Sequence, residues 1–87
     1  MTALSIDVLN SPVVVVNDNP SRVQITLSND SHAMMWVYLG LTTTDFSGGA
    51  IPLFPDGGQL IFNDWTGPIS AMCNWNNSPQ NLAVLEE

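Results

Sequence analysis

Three neighbouring residues have the side-chain types of a catalytic triad. Asp30, Ser31 and His32 supply a carboxylate, a hydroxyl and an imidazole, the groups that many hydrolases use for nucleophilic catalysis. A triad needs side chains that converge from separate positions, because the nucleophile, the base and the group that orients the base must line up. Adjacent residues in one predicted turn, residues 29–32, cannot do this. The sequence therefore predicts that His32 is an exposed turn histidine.

Cys73 is the other candidate nucleophile, and it is the chain's one cysteine. It alternates with Met72 and Asn74, which predicts that it points inward with Ile69 and Ala71. No cationic residue lies near it in sequence to stabilise a thiolate. We expect a buried structural cysteine, and a single cysteine excludes an internal disulfide.

The aspartates and the two glycine pairs are the remaining candidates, for a metal site and for a phosphate-binding loop. Most of the aspartates fall in predicted turns, and no run has the spaced oxygen ligands and closing Glu of a calcium loop. A calcium site shared between subunits is left as the alternative. The pairs at residues 48–49 and 57–58 precede neither a helix nor a Lys-Ser/Thr pair, so they predict turns and not phosphate loops. We therefore expect no catalytic residue, no metal, no cofactor and no enzyme activity.

The charge of the chain excludes two classes of partner. One basic residue, Arg22, stands against eight acidic ones, for a net charge of −7. Nucleic acids and anionic membranes are bound through basic patches, so we expect neither as a partner. Hydrophobic residues are 45% of the chain and charged ones 10%, which indicates a folded domain and not a disordered acidic tail. No secretory signal is recognisable, which predicts synthesis in the cytoplasm and leaves the glycosylation sequon at Asn29 unused.

The elements that must position these residues have the pattern of strands. Short alternating runs are separated by turns rich in Pro, Gly, Asn and Asp, and no segment has helical periodicity. In the clearest run, Val23, Ile25 and Leu27 are predicted on the inner face and Arg22 on the outer face. Turn signals every 8 to 12 residues predict an all-β fold. We expect a small antiparallel β-sandwich or barrel of seven or eight short strands.

The segment 34–41 carries apolar residues on both faces, whereas a surface strand has one polar face. A chain of this size buries only about 60 to 65% of its surface on folding, which gives a marginal core. We therefore expect one side of this strand, together with apolar residues near the start of the chain, to form a subunit interface. The alternative is that the aromatic rings fill the core. The predicted interface residues are Val14, Val16, Met34, Trp36 and Tyr38.

Two further tryptophans have different predicted roles. Trp75 lies in an asparagine-rich stretch, and an aromatic ring beside amide groups suits sugar stacking and hydrogen bonding. The predicted partner or glycan contact is therefore Trp75, Asn76 and Asn77. Trp65, at the bend before a Gly-Pro turn, is expected in the core.

Several stretches resemble a module of small tailed-bacteriophage structural proteins, in which a VYLG run is followed by G-x-P-L-x-x-G-G and by (W/Y)-T-G-P-(I/V)-x-A. The matching stretches are VYLGL at 37–41, AIPL at 50–53, DGG at 56–58, WTGPISA at 65–71 and the final strand LAVLE at 82–86. The stretch VQITLSN at 23–29 is similar to the strand that opens the module. The resemblance covers residues 22–87.

The resemblance implies a β-sandwich or jelly-roll-like module that is usually trimeric and decorates a virion. Such modules occur as capsid cement (decoration) proteins and as parts of head fibres or tails. We expect the cement role, because the chain, one β domain over residues 1–87, ends about where the module ends. The implied protein is a homotrimer on the outer capsid surface that binds over junctions of the major capsid protein and stabilises the head.

Two expectations accompany this role. Residues 1–20 lie outside the resemblance and are expected to form an N-terminal arm or an added strand. The alternative function is that of a head-fibre or tail-associated module that recognises a host-surface glycan.

Overall fold

A computed structural model describes residues 2–40, 50–73 and 80–87. These residues form eight β-strands and contain no helix. All strand pairs are antiparallel, so the prediction of an antiparallel all-β fold is confirmed. The strands are β1 (Thr2–Val8), β2 (Val13–Val16), β3 (Ile25–Asn29), β4 (Met35–Leu39), β5 (Ile51–Leu53), β6 (Gly58–Phe62), β7 (Ile69–Cys73) and β8 (Gln80–Glu86).

The strands form two four-stranded sheets, which we name sheet A and sheet B. The order is β1-β8-β3-β6 in sheet A and β2-β7-β4-β5 in sheet B. The pairs are nested, since β4 pairs with β5, β3 with β6, β2 with β7 and β1 with β8. The chain therefore folds back on itself about the β4–β5 connection, and successive pairs lie alternately in the two sheets.

The inward faces of both sheets supply one hydrophobic core. In sheet A the register aligns Leu27 with Val84, and in sheet B it aligns Met35 with Cys73; all four side chains are buried. Directly opposite residues on neighbouring strands share a face, so each row of buried residues crosses its sheet. The inward positions predicted from alternation are confirmed for Ile25, Leu27, Ile69, Ala71, Cys73, Leu82 and Val84.

The approach to β3 differs from the prediction. β3 begins at Ile25, whereas Val23 is 72% exposed and Arg22 is buried. The backbone N–H groups of Val23 and Gln24 both donate to the carbonyl of Glu87, at 2.7 and 3.2 Å. Two residues opposing one is the arrangement of a β-bulge, which shifts the alternation by one residue. The bulge therefore turns Arg22 inward and Val23 outward, the reverse of the predicted faces.

The stretch 1–20, expected to be an arm or an added strand, contains two strands of the sheets. β1 pairs with β8 along all seven of its residues, from Thr2 opposite Glu86 to Val8 opposite Gln80. β2 pairs with β7 in sheet B. Both strands are therefore part of the two-sheet fold.

Asn29, predicted in a turn, is the last residue of β3 and is fully buried. Its side-chain amide donates to the carbonyls of Ala33 and Leu53, at 2.8 and 3.0 Å. Its side-chain oxygen accepts from the backbone N–H and the hydroxyl of Ser31. These bonds hold the β3–β4 connection against β5. A buried Asn29 also cannot carry a glycan in the folded protein.

We expect Asn29→Ala to lower the free energy of unfolding by about 2 to 4 kcal/mol, because it leaves buried backbone carbonyls without donors. Urea unfolding followed by tryptophan fluorescence measures this change. The matched control is Ser28→Ala on the opposite face of β3, which should stay within about 0.5 kcal/mol of the unchanged protein. Equal unfolding midpoints for the two variants would show that the amide does not hold this connection.

Candidate functional site

The outer face of sheet B is a continuous set of uncharged side chains. The register places Trp36 between Pro52 and Met72. In the next row it places Ser70 between Tyr38 and Val14. This face, which we call the B face, therefore consists of Val14, Trp36, Tyr38, Pro52, Ser70 and Met72.

Ser70 lies between Tyr38 and Val14 on the B face, and it is fully buried. Its hydroxyl donates to the carbonyl of Gly40 at 2.7 Å. Gly40 lies against the ring of Tyr38, since a Cβ at Gly40 would come within 2.8 Å of the ring carbon Cε2. The hydroxyl therefore fixes the backbone on which the Tyr38 ring packs, without adding a polar group to the exposed surface.

The remaining side chains of the B face keep apolar surface in contact with solvent. Val14, Trp36, Tyr38 and Met72 are half-buried, and Pro52 is exposed. Half-buried aromatic rings on a charge-free surface are typical of protein interfaces.

Most of the predicted interface residues lie on or beside the B face. Val14, Trp36 and Tyr38 belong to it, and Met34, which is half-buried, immediately precedes β4. The predicted contact residues Trp75, Asn76 and Asn77 lie outside the described residues.

Val16 departs from the interface prediction. It is 6% exposed and belongs to the core. The register of β2 shifts between Val14 and Val16, so that Val16 pairs with the inward-facing Ile69. The shift turns Val16 away from the face that carries Val14.

Arg22 was predicted on an outer face, but it lies inside the protein. Its side chain has no exposed area, and its Nε donates to Oε2 of Glu86 at 2.7 Å. The terminal nitrogens donate to the carbonyls of Trp65, Gly67 and Asn17, at 3.0, 2.9 and 2.7 Å. One guanidinium therefore joins the chain after β2, the β6–β7 connection and the end of β8. The sequence signal for this role is that Arg22 is the one basic residue of a strongly acidic chain.

Trp65 and Gly67 shape the connection that Arg22 binds. The Trp65 ring packs against the core, as predicted, and its indole N–H donates to the carbonyl of Pro68 at 3.0 Å. A Cβ at Gly67 would come within 2.8 Å of the Trp65 ring, so a residue without a side chain is required there. The bend under the ring presents the two carbonyls to Arg22.

The burial of Arg22 leaves the described surface strongly acidic. Asp7, Asp18, Asp30, Asp56, Asp64 and Glu87 are all exposed. Among the described residues, His32 is the one exposed side chain of a basic type. Its Nδ1 lies 2.6 Å from Oδ1 of Asp56, and the two side chains are 93% and 66% exposed. Such a surface favours partners that bring basic groups, and it opposes close contact between copies wherever carboxylates meet.

The described residues that could do nucleophilic chemistry are not brought together. His32 is exposed, as predicted, and contacts Asp56 instead of its sequence neighbours. The Ser31 hydroxyl is bonded to Asn29 and Ala33, and Cys73 is buried, as predicted, with its thiol near the carbonyl of Val8. Within residues 2–40, 50–73 and 80–87 no group of three or more His, Cys, Asp or Glu side chains could hold a metal ion.

No family model, curated protein or solved structure matches the chain. In the described part of the chain there is no helix of the length and hydrophobicity needed to span a membrane.

Removing the guanidinium is expected to destabilise the protein. Arg22→Ala should lower the free energy of unfolding by about 3 kcal/mol, because Glu86 and the three carbonyls lose their buried partner. Arg22→Lys should recover part of this loss, since an ammonium keeps the charge but cannot bond all the acceptors at once.

Thermal and urea unfolding measure both variants, and Asp18→Asn is the control for a change of charge on the surface. An Arg22→Ala protein with the same midpoint as Asp18→Asn would contradict the structural role of the guanidinium.

Proposed function

We propose that the protein is a structural virion component: a capsid cement (decoration) protein that binds as a homotrimer over junctions of the major capsid protein. The observation that carries the proposal is the B face, whose side chains in the described strands are uncharged and include half-buried Trp36 and Tyr38, while the rest of the described surface is acidic. The sequence resemblance to phage β-modules supplies the setting in which such a surface would work.

The strand order supports a jelly-roll form of the fold. A jelly roll has eight strands in two sheets, and the nested pairs here join strands first to last and alternate between the sheets. Viral capsid proteins and lectins both use this form. The topology is therefore compatible with a virion role and also with sugar recognition.

Charge supports the B face as the contact between copies. With a net charge of −7, copies repel one another unless their contact surfaces contain no carboxylates. The B face meets this condition, and Trp and Tyr are the residues that contribute most to binding energy at interfaces. In a trimer, contacts between copies would bury the exposed parts of these rings, which a small two-sheet core cannot cover by itself.

Attachment to the capsid would follow from threefold repetition. When one copy of a trimer binds, the other two are held near their sites, so modest single contacts give strong overall binding. The basic groups in these contacts would belong to the capsid, because Arg22 is internal and the chain has no lysine. Such a trimer would join neighbouring capsid subunits against the outward pressure of packaged DNA.

Trp36→Ala is expected to weaken self-association by about 2 kcal/mol or more, which is roughly 30-fold, while unfolding changes by only about 1 kcal/mol. Sedimentation velocity over a concentration series measures the first quantity, and urea unfolding of the dilute protein measures the second. Ile61→Ser, which removes an exposed apolar side chain from sheet A, is the matched control and should leave self-association unchanged. A trimer that survives Trp36→Ala would show that another face holds the copies together.

The capsid role is tested with particles from which the protein has been removed. Purified protein should co-sediment with these particles, and a cryo-electron microscopy map should show threefold density of this fold over the subunit junctions. A 9.4 kDa monomer that stays in the supernatant would reject the proposal. Binding to a glycan array, lost in Trp75→Ala, without binding to particles would favour the glycan-recognition alternative.

A further inference from the structure

β6 is an open edge of sheet A. It pairs with β3 on one side, and among the described residues no other strand bonds to its backbone. Soluble proteins usually block such edges with proline, charge, a bulge or short length. β6 has five residues, Gly58–Phe62, in regular register, and it contains neither a charged residue nor a proline.

The three other edge strands each have at least one of these blocking features. β5 has three residues and contains Pro52, and β2 has four residues and an irregular register. β1 carries the carboxylate of Asp7 within the strand. Within the described part of the chain, β6 is therefore the edge whose outward N–H and C=O groups are open to a further strand.

Exposed apolar side chains lie beside this edge. Ile61 is 53% exposed on the outer face of sheet A, and Phe54 is 62% exposed just before the turn that leads into β6. Gly58 lies so close to the Phe54 backbone that a Cβ there would collide with the Phe54 carbonyl. A strand added to β6 would cover apolar surface on Ile61 at the same time as it satisfied the backbone groups.

Carboxylates flank both ends of β6. Asp56 lies two residues before the strand, and Asp64 lies two residues after it; both are exposed. Asp30, also exposed, follows Asn29, which pairs with Gly58, and so it lies at the Asp56 end. His32 contacts Asp56 there. An added strand of about seven to nine residues would therefore end near carboxylates on both sides.

The charges argue against a second copy of this chain as the added strand. Antiparallel pairing of two β6 strands about Leu60 would bring Asp56 of one copy against Asp64 of the other. The chain has no lysine, Arg22 is fully occupied inside the fold, and the one histidine, His32, lies at the Asp56 end, so among the described residues no basic side chain is bonded to Asp64 to relieve this repulsion. The edge is complementary to a strand with an uncharged centre and basic ends.

We propose that the β6 edge binds an extended segment of another protein, with alternating uncharged residues in the centre and Lys or Arg at both ends. The segment joins sheet A as a fifth strand through main-chain hydrogen bonds, and its basic ends meet Asp56 and Asp64. This site is separate from the B face and does not depend on the trimer proposal.

The test uses the full-length protein and a labelled peptide, Lys-Lys-Val-Thr-Val-Thr-Val-Lys-Lys, with blocked ends. Fluorescence anisotropy should show saturable binding, and amide hydrogen exchange should show new protection in residues 58–62. Replacing the lysines with glutamates should abolish binding. Two further peptides carry methyl groups on alternate backbone nitrogens, one on the odd-numbered set and the other on the even-numbered set. The peptide whose methylated nitrogens face β6 can no longer donate to it and should not bind.

Variants of the protein test whether the two flanking carboxylates bind the ends of the peptide, or whether a basic peptide is simply attracted to an acidic protein. Asp56→Asn and Asp64→Asn should each weaken binding about two- to fivefold, the range expected for one exposed ion pair. Asn at position 56 keeps the left-handed backbone there, where φ is 61°. Asp7→Asn, on the opposite edge of sheet A, removes the same charge and should leave binding unchanged.

Three results would overturn the proposal. Full binding by both methylated peptides would exclude strand pairing. Equal weakening of binding by Asp7→Asn and Asp64→Asn would show that the net charge of the protein alone attracts the peptide. Tighter binding of a peptide with the sequence of residues 57–63 than of the lysine peptide would identify a second copy of this chain as the occupant.

Discussion

The one buried cation organises both the inside and the outside of this molecule. Arg22 joins the chain after β2, the β6–β7 connection and the end of β8 through one ion pair and three bonds to carbonyls. Because the chain has no other basic side chain apart from His32, this internal role leaves the described surface acidic. Such a surface opposes contact between copies wherever carboxylates meet, and it favours partners that bring basic groups. The roles proposed for the B face and for the β6 edge both rest on this distribution of charge.

Local pattern was sufficient to predict the strands, because alternation and turn residues act over only a few positions. The runs at β4, β7 and β8 have the predicted faces, and Pro52 lies in an edge strand, as its missing N–H requires. The run at β3 was predicted correctly only from Ile25 onward. Before that point Val23 and Gln24 share one acceptor across the sheet, and a bulge of this kind depends on the partner strand and not on local alternation.

The candidate site could be predicted only where it follows from alternation within one strand. Trp36 and Tyr38 share an outer face because Met35 and Val37 fill the inner one. Val16 was assigned to the interface because the uniform run 13–16 contains no polar residue to mark its faces. The β6 edge was not predicted, because an edge is a property of the order of strands in the sheet. Asn29 has the composition of a turn residue, and only its contacts with distant Leu53 make it a core residue.

The position of β8 also governs when the molecule can fold. β8 lies between β1 and β3 in sheet A, although it is the last strand along the chain. A growing polypeptide would have completed seven strands before residues 80–86 emerged from the ribosome, and until then neither β1 nor the inner side of β3 would have its neighbour. Non-local strand pairing of this kind slows folding and leaves apolar strands uncovered for longer. Sheet A would therefore stay incomplete until residues 80–86 are available, and a chain that lacks them would expose a gap between β1 and β3.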